Sequence, residues 1–222
     1  MVRRRWLAVV NRPTKETTIN VAGFDIETDT TIDGRDPRVG QIVSIAVYSP
    51  GFQAVVDGGS EQERIHRFCE VLDKMPQSIV CSWNGSVFDG PYLADRARMA
   101  GIDIGFVLDP DPAINPKYAP LPGHAGGYRL RLRRHEHADM AYAYRDYALG
   151  DPSLGRAAWS LKSVCRSLGI EMIEVDRERI HELTAEQNRA YNLSDARGTY
   201  LLAERLGTGL QLWVDHVPPA GG

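Results

Sequence analysis

The stretch Ile19-Asn20-Val21-Ala22-Gly23-Phe24-Asp25-Ile26-Glu27 decides the fold. Residues 19–26 are rich in β-forming side chains and read as a strand. Asp25 and Glu27 are two apart, so a strand points both carboxylates to one face. Working outward, residues 28–40 are polar and carry Gly34 and Pro37, which reads as a loop. Residues 41–48 and 52–57 are further strands, turned by Pro50-Gly51, so the chain opens with an antiparallel meander. On the other side, Arg5 to Val10 reads as a short strand and Asn11 to Thr18 as a connection.

The period then changes. Ile65, Phe68, Cys69 and Leu72 recur at helical spacing over 61–75, with Ser60 and Glu63 placed for a capping box and Pro76 ending the helix. Ile79 to Trp83 is a short buried strand, and Asp89 to Met99 a second helix, stopped by Gly101. Residues 109–127 are crowded with Pro and Gly and form a long loop, a kind of segment that is often functional. Residues 128–140 read as a strand, with helices at about 159–168 and 184–206. Thr184 and Gln187 repeat the capping box. This order predicts an α/β domain, a mixed sheet with helices packed on it. The whole chain, 1–222, is expected to be one domain, with a core of about 19–206 and an N-terminal extension of 1–18.

Bulk composition agrees with a globular domain. The 222 residues carry 43% hydrophobic and 25% charged side chains, with a net charge of −3 and a pI near 6.1. A protein that neutralises many phosphates is usually basic. This balance suits an enzyme that grips few nucleotides and places carboxylates around metal ions. Cys69, Cys81 and Cys165 are scattered, as in a reduced cytoplasmic protein. There is no run of about 18 apolar residues, so no membrane is expected. The start, Met-Val-Arg-Arg-Arg-Trp, lacks the apolar stretch of a signal peptide, and the arginine run reads as an exposed tail.

Two carboxylates facing one way repel each other, and burying them without a cation is costly. Asp-x-Glu alone is weak, since on the order of one is expected by chance in such a chain. Asp176-Arg177-Glu178 is a second instance and reads as a solvated turn. The next element is Asn84-Gly85-Ser86-Val87-Phe88-Asp89, between a strand and a helix. Asp89 alone could be an ordinary helix-start carboxylate. Yet such junctions lie at the carboxyl edge of the sheet, where α/β proteins keep ligands. The third element is Tyr191-Asn192-Leu193-Ser194-Asp195, with Tyr191 and Asp195 on one helix face.

In this order the three elements resemble the DEDD superfamily of 3′–5′ exonucleases, and Tyr191 marks the DEDDy subgroup. The proofreading exonuclease domain of family-B DNA polymerases is the nearest match, over about Val21 to Leu206. Trp159-Ser160-Leu161-Lys162-Ser163-Val164 is similar to the segment that precedes the third motif there. The resemblance implies a ribonuclease H-like fold and hydrolysis by two divalent ions, Mg²⁺ or Mn²⁺. It implies that Asp25 bridges both, Glu27 and Asp195 complete the ion holding the nucleophile, and Asp89 holds the other largely through water. Tyr191 would orient the attacking water, its ordinary pKa near 10 making it a poor base. Thr28, Asn84 and Phe88 match positions that contact the terminal nucleotides, and Phe88 offers a stacking face or core packing.

A chain of this length has no room for a polymerase. The expectation is a stand-alone enzyme on single-stranded DNA, with RNA a rival substrate. It would serve a separate polymerase or repair factor, or degrade DNA. A binding module that has lost catalysis is the other class, although all four carboxylates and the tyrosine are present. Arg129, Arg131 and Arg133 alternate with Leu130 and Leu132, which reads as a phosphate-binding track or a solvated face. His135, His137 and Asp139 share a strand face as in some zinc sites, but Met140 stands where a further ligand is needed. Asp139 is a candidate supporting group for the acidic site.

Overall fold

The computed structural model describes residues 20–116, 118–147, 160–176, 180 and 182–215. The strand expected over 5–10, the arginine tail, Trp159, Arg177 and Glu178 lie outside these residues. The meander forms as expected: β1 Asn20–Thr28, β2 Ile42–Ser49 and β3 Phe52–Val56 pair antiparallel. Helix α1, Glu61–Lys74, carries the Ser60–Glu63 capping box. Then follow β4 Ser78–Ser82 and α2 Asp89–Met99. β4 runs parallel to β1. This parallel neighbour sets the carboxyl end of β1 beside the strand–helix junction that bears Asp89.

The second half differs from the expectation. The segment 128–140 is not one strand. It is β6 Tyr128–Leu132, a tight turn, β7 His135–Asp139, and the first residue of helix α3, Met140–Tyr147. Arg133 sits at the turn with φ 59°, a left-handed conformation that breaks the alternation. Phe106–Pro110, unassigned from sequence and overlapping the expected loop, is strand β5, antiparallel to β6. Pro110 is tolerated because β5 is an edge strand. Helices α4 Leu161–Ser167 and α5 Ala185–Leu206 match expectation, and α6 Thr208–Val214 follows. The sheet has seven strands in the order β3-β2-β1-β4-β7-β6-β5. It is mixed and flanked by helices, an α/β architecture consistent with a ribonuclease H-like domain.

Alternation along β1 sorts the two faces. Ala22, Phe24 and Ile26 enter a core with α1 and α2, where Phe24 stacks on Phe68 at 5.2 Å. A second core, built on α3 to α6, covers the opposite face. Gly23, Asp25 and Glu27 point to that side, toward α5. At Gly23 the helix comes so close that a Cβ would lie 1.8 Å from the Ala196 carbonyl oxygen. That oxygen is backbone and can yield only if α5 moves. Gly23→Ala is therefore expected to cost about 3 kcal/mol or more, as overpacking does. A calorimetric scan should show Tm falling by about 6–12 °C. An unchanged Tm would mean that the contact is loose.

Candidate active site

Asp25 and Glu27 stand near the end of β1, opposite Ala46 and Ser44 of β2. The register breaks between Glu27 and Thr28, as strands often do beside a functional cleft. Asp195 arrives from α5. Ligand oxygens of Asp25, Glu27 and Asp195 all lie within 4.8 Å of one another. Burial holds the Asp25 carboxyl well above its ordinary pKa, and Asp89, Asp195 and Glu27 push the same way. Lys162 pulls in the other direction.

Asp89 is 3% exposed and accepts a hydrogen bond from the Ile26 N–H at 3.2 Å. Its carboxyl is pushed up to about 7, first by burial and then by Asp139 and Asp195. The junction before it is held by Asp139. One carboxylate oxygen accepts from the N–H of Asn84 and of Ala141, at 2.9 and 3.1 Å, and the other from Ser86 at 2.8 Å. Asn84 adopts φ 66°, a turn conformation that asparagine tolerates. Asp139 thus supports the site by shaping the loop that presents Asp89.

Tyr191 and Asp195 stack one turn apart on α5, 4% and 7% exposed. Lys162, in the first turn of α4, ion-pairs with Asp195 and lies 4.4 Å from the centre of the Tyr191 ring. Its segment resembles the one that precedes the third motif, but nothing in the residue itself marks the pairing. The available signal was the Ser160 cap, which fixes Lys162 at the start of a helix. A polar network further along α5 joins it to β2: the Asn192 amide donates to the Ser44 hydroxyl at 2.6 Å, which donates to Asn188 at 3.0 Å.

A cleft of about 660 Å³ gathers these groups. Its walls include Asp25, Glu27, Asp89, Tyr191 and Asp195, with Thr28, Asn84 and Phe88. Phe88 also leans on Tyr92, ring centres 5.3 Å apart, so it both faces the cleft and packs on the core. Arg129, Arg131 and Arg133 are not among the residues lining the cleft. Arg129 pairs with Asp111 at 2.7 Å and covers the Trp213 ring at 4.0 Å. Arg133 leaves the strand for the turn and pairs with Asp73 at 2.7 Å. The expected arginine track is therefore not assembled at the carboxylates.

The histidines of β7 are engaged structurally. His135 accepts from the Ser78 N–H at 3.2 Å and donates to the Leu72 carbonyl at 2.8 Å. His137 bonds the Ser82 hydroxyl at 2.7 Å, and burial pushes its pKa down to about 3. Carboxylates, not imidazoles, make the metal-capable group. Oxygen donors suit a hard divalent cation, and a cation would offset the burial and the mutual repulsion that raise the Asp25 and Asp89 pKa values. The residues fit such an ion.

Comparison with curated proteins finds DNA polymerases. The chain is 28% identical over 161 residues to the catalytic chain of DNA polymerase epsilon from Saccharomyces cerevisiae, covering 69% of this chain and 6% of that protein. This chain resembles a segment of DNA polymerases. A DNA polymerase of Methanocaldococcus jannaschii is 26% identical over 176 residues, which is 76% of this chain and 10% of that protein. DNA polymerase 2 of Aeropyrum pernix is 24% identical over 107 residues, 46% of this chain and 13% of that one. The chain thus spans a small fraction of the length of these relatives. No family model matches it. Among the described residues no helix is long and apolar enough to cross a membrane.

Proposed function

We propose that the chain is a metal-dependent 3′–5′ exonuclease of the DEDDy type. It takes single-stranded DNA from the 3′ end and releases nucleoside 5′-monophosphates. The convergence of Asp25, Glu27, Asp89, Tyr191 and Asp195 on one cleft carries this reading. Similarity to DNA polymerases supports nucleic acid as the substrate class. That the chain acts apart from a polymerase belongs to the same proposal.

Asp25, Glu27 and Asp195 would hold one of two divalent ions, Mg²⁺ or Mn²⁺, with Asp25 and Asp89 addressing the second. Bound there, such ions supply a water of lowered pKa at the phosphorus and neutralise the leaving oxygen. A water oxygen bonds to phosphorus as the bond from phosphorus to the 3′ oxygen breaks, one water proton ending on the 3′ oxygen and the other passing to solvent. The terminal nucleotide leaves with its 5′-phosphate, and the strand keeps a 3′-hydroxyl. Tyr191 holds the attacking water in line through its hydroxyl. Lys162 balances the Asp195 charge. Thr28, Asn84 and Phe88 seat the terminal nucleotides, Phe88 by stacking, which accepts any base.

Tyr191→Phe keeps the ring and removes the hydroxyl. It should lower kcat by about 10- to 100-fold, at or below the low end for loss of a proton-transfer group, with KM nearly unchanged. Steady-state kinetics on one oligonucleotide reads this split. A rise in KM alone would make Tyr191 a binding residue. The function itself is tested with the 222-residue chain alone, incubated with a DNA strand and its RNA twin under Mg²⁺, Mn²⁺ or chelator. Metal-dependent shortening of DNA in preference to RNA supports the proposal. Shortening that survives chelation, or that is confined to RNA, contradicts it.

A further inference from the structure

Two loops meet at the rim of the cleft, and neither is accounted for by the acidic motifs. The first, between β1 and β2, carries Arg35. The second, between β5 and β6, carries Tyr118. The Arg35 guanidinium carbon lies 5.5 Å from the centre of the Tyr118 ring, and an Arg35 N–H donates to the Ala119 carbonyl at 3.3 Å. Both residues line the same cleft as the carboxylates. Tyr118 is 61% exposed, an unusual position for so large a ring.

Both loops are pinned from behind. In the first, Thr28 donates to the Gly34 carbonyl at 2.7 Å, and the Tyr92 hydroxyl donates to Gly40 at 3.0 Å. Arg96 donates to the Pro37 carbonyl at 2.9 Å. In the second, the Tyr142 hydroxyl donates to the Asn115 carbonyl at 3.1 Å. His124 links Tyr128 at 2.7 Å to Asp95 of α2 at 3.0 Å. The loops therefore present an aromatic face and a guanidinium in a fixed relation. Binding costs less when the receptor is ordered beforehand.

An exposed aromatic ring beside an arginine matches the chemistry of a single nucleic-acid strand. The ring offers a stacking platform, and the planar guanidinium meets phosphate oxygens with its remaining N–H groups. We propose that Arg35 and Tyr118 form a clasp that grips one nucleotide of the bound strand, the base on Tyr118 and the phosphate at Arg35. The inference rests on the nuclease reading above and adds a binding subsite to it. Neither contact reads the 2′-hydroxyl, so the clasp serves affinity rather than choice of sugar.

The test measures binding in the absence of turnover. Fluorescein-labelled single-stranded DNA and its RNA twin are titrated with Asp25→Ala protein by anisotropy, at several salt concentrations. Tyr118→Ala in that background should weaken the Kd by about 5- to 100-fold, the range of one lost base stack, while Tyr118→Phe binds like its parent. Arg35→Ala should reduce the slope of log Kd against log salt by about 0.7, one phosphate contact on a single strand. The same pattern is expected with RNA. Both side chains are exposed, so the variants should melt with the parent. If Tyr118→Ala and Tyr118→Phe bind alike and the Arg35→Ala slope is unchanged, the clasp is overturned while the nuclease reading stands. If the folded Asp25→Ala parent binds neither strand, both fail.

Discussion

Asp25→Ala should abolish strand shortening, with a loss of at least about 10³-fold in kcat. Replacing a group that merely supports a metal ligand costs about 10- to 100-fold, so a ligand shared between ions must cost more. Asp25 is crowded by other carboxylates: Asp89, Asp195 and Glu27 all add to the effect of burial in raising its pKa. Such crowding is unfavourable unless a cation joins the group. Single-turnover rates with saturating Mn²⁺ measure the loss without confusing it with product release. The fold should survive, since the substitution removes repulsion. A folded Asp25→Ala protein with more than about a tenth of the parent rate would place the chemistry elsewhere.

Without metal, the protein should lose stability as pH rises from about 4 to about 7. The direction follows from the carboxyls. Asp89 is pushed up to about 7 and Asp139 to about 6, both chiefly by burial. A carboxyl with a raised pKa binds its proton more tightly in the folded state, so folding is favoured below that pKa and penalised above it. For Asp89 the shift from 3.8 to about 7 corresponds to on the order of 4 kcal/mol. Divalent metal should reverse the trend, because it binds the ionised groups of the folded state. At a hundredfold excess over its Kd it adds about 2.7 kcal/mol. Differential scanning fluorimetry from pH 4.5 to 8, with chelator or with Mg²⁺, checks both signs. Rising stability toward pH 8 in chelator would show that the carboxylates are already well compensated by residues such as Lys162.

How far the sequence could be read depended on range. Strand β1 and the capped helices α1 and α5 were legible because period and caps are local, while the convergence of Asp195 on Asp25 and Glu27 was expected only through the resemblance carried by the three ordered motifs. The split of 128–140 was not. Its turn depends on the φ 59° of Arg133, and nothing in Arg133-Arg134 announces a turn. The arginine alternation stops after Leu132 for the same reason. Arg129 and Arg133 answer Asp111 and Asp73, partners remote in sequence that appear only once β5, β6 and α1 are in place. The Arg35–Tyr118 pair was equally invisible, since it joins two loops far apart in the chain, and of Lys162 only its helix-start segment could be read, not its pairing with Asp195. Asp139 was half legible: a polar group near the site could be guessed, its three backbone hydrogen bonds could not.

The central claim is tested most directly by the direction of digestion. One single-stranded DNA is labelled at its 5′ end in one reaction and at its 3′ end in another, with Mn²⁺ and the 222-residue chain. A 3′–5′ exonuclease gives a ladder that shortens one nucleotide at a time from the 5′-labelled strand. From the 3′-labelled strand it gives a single labelled mononucleotide from the earliest time. Internal fragments, a mononucleotide released first from the 5′ label, or two intact strands would contradict that claim.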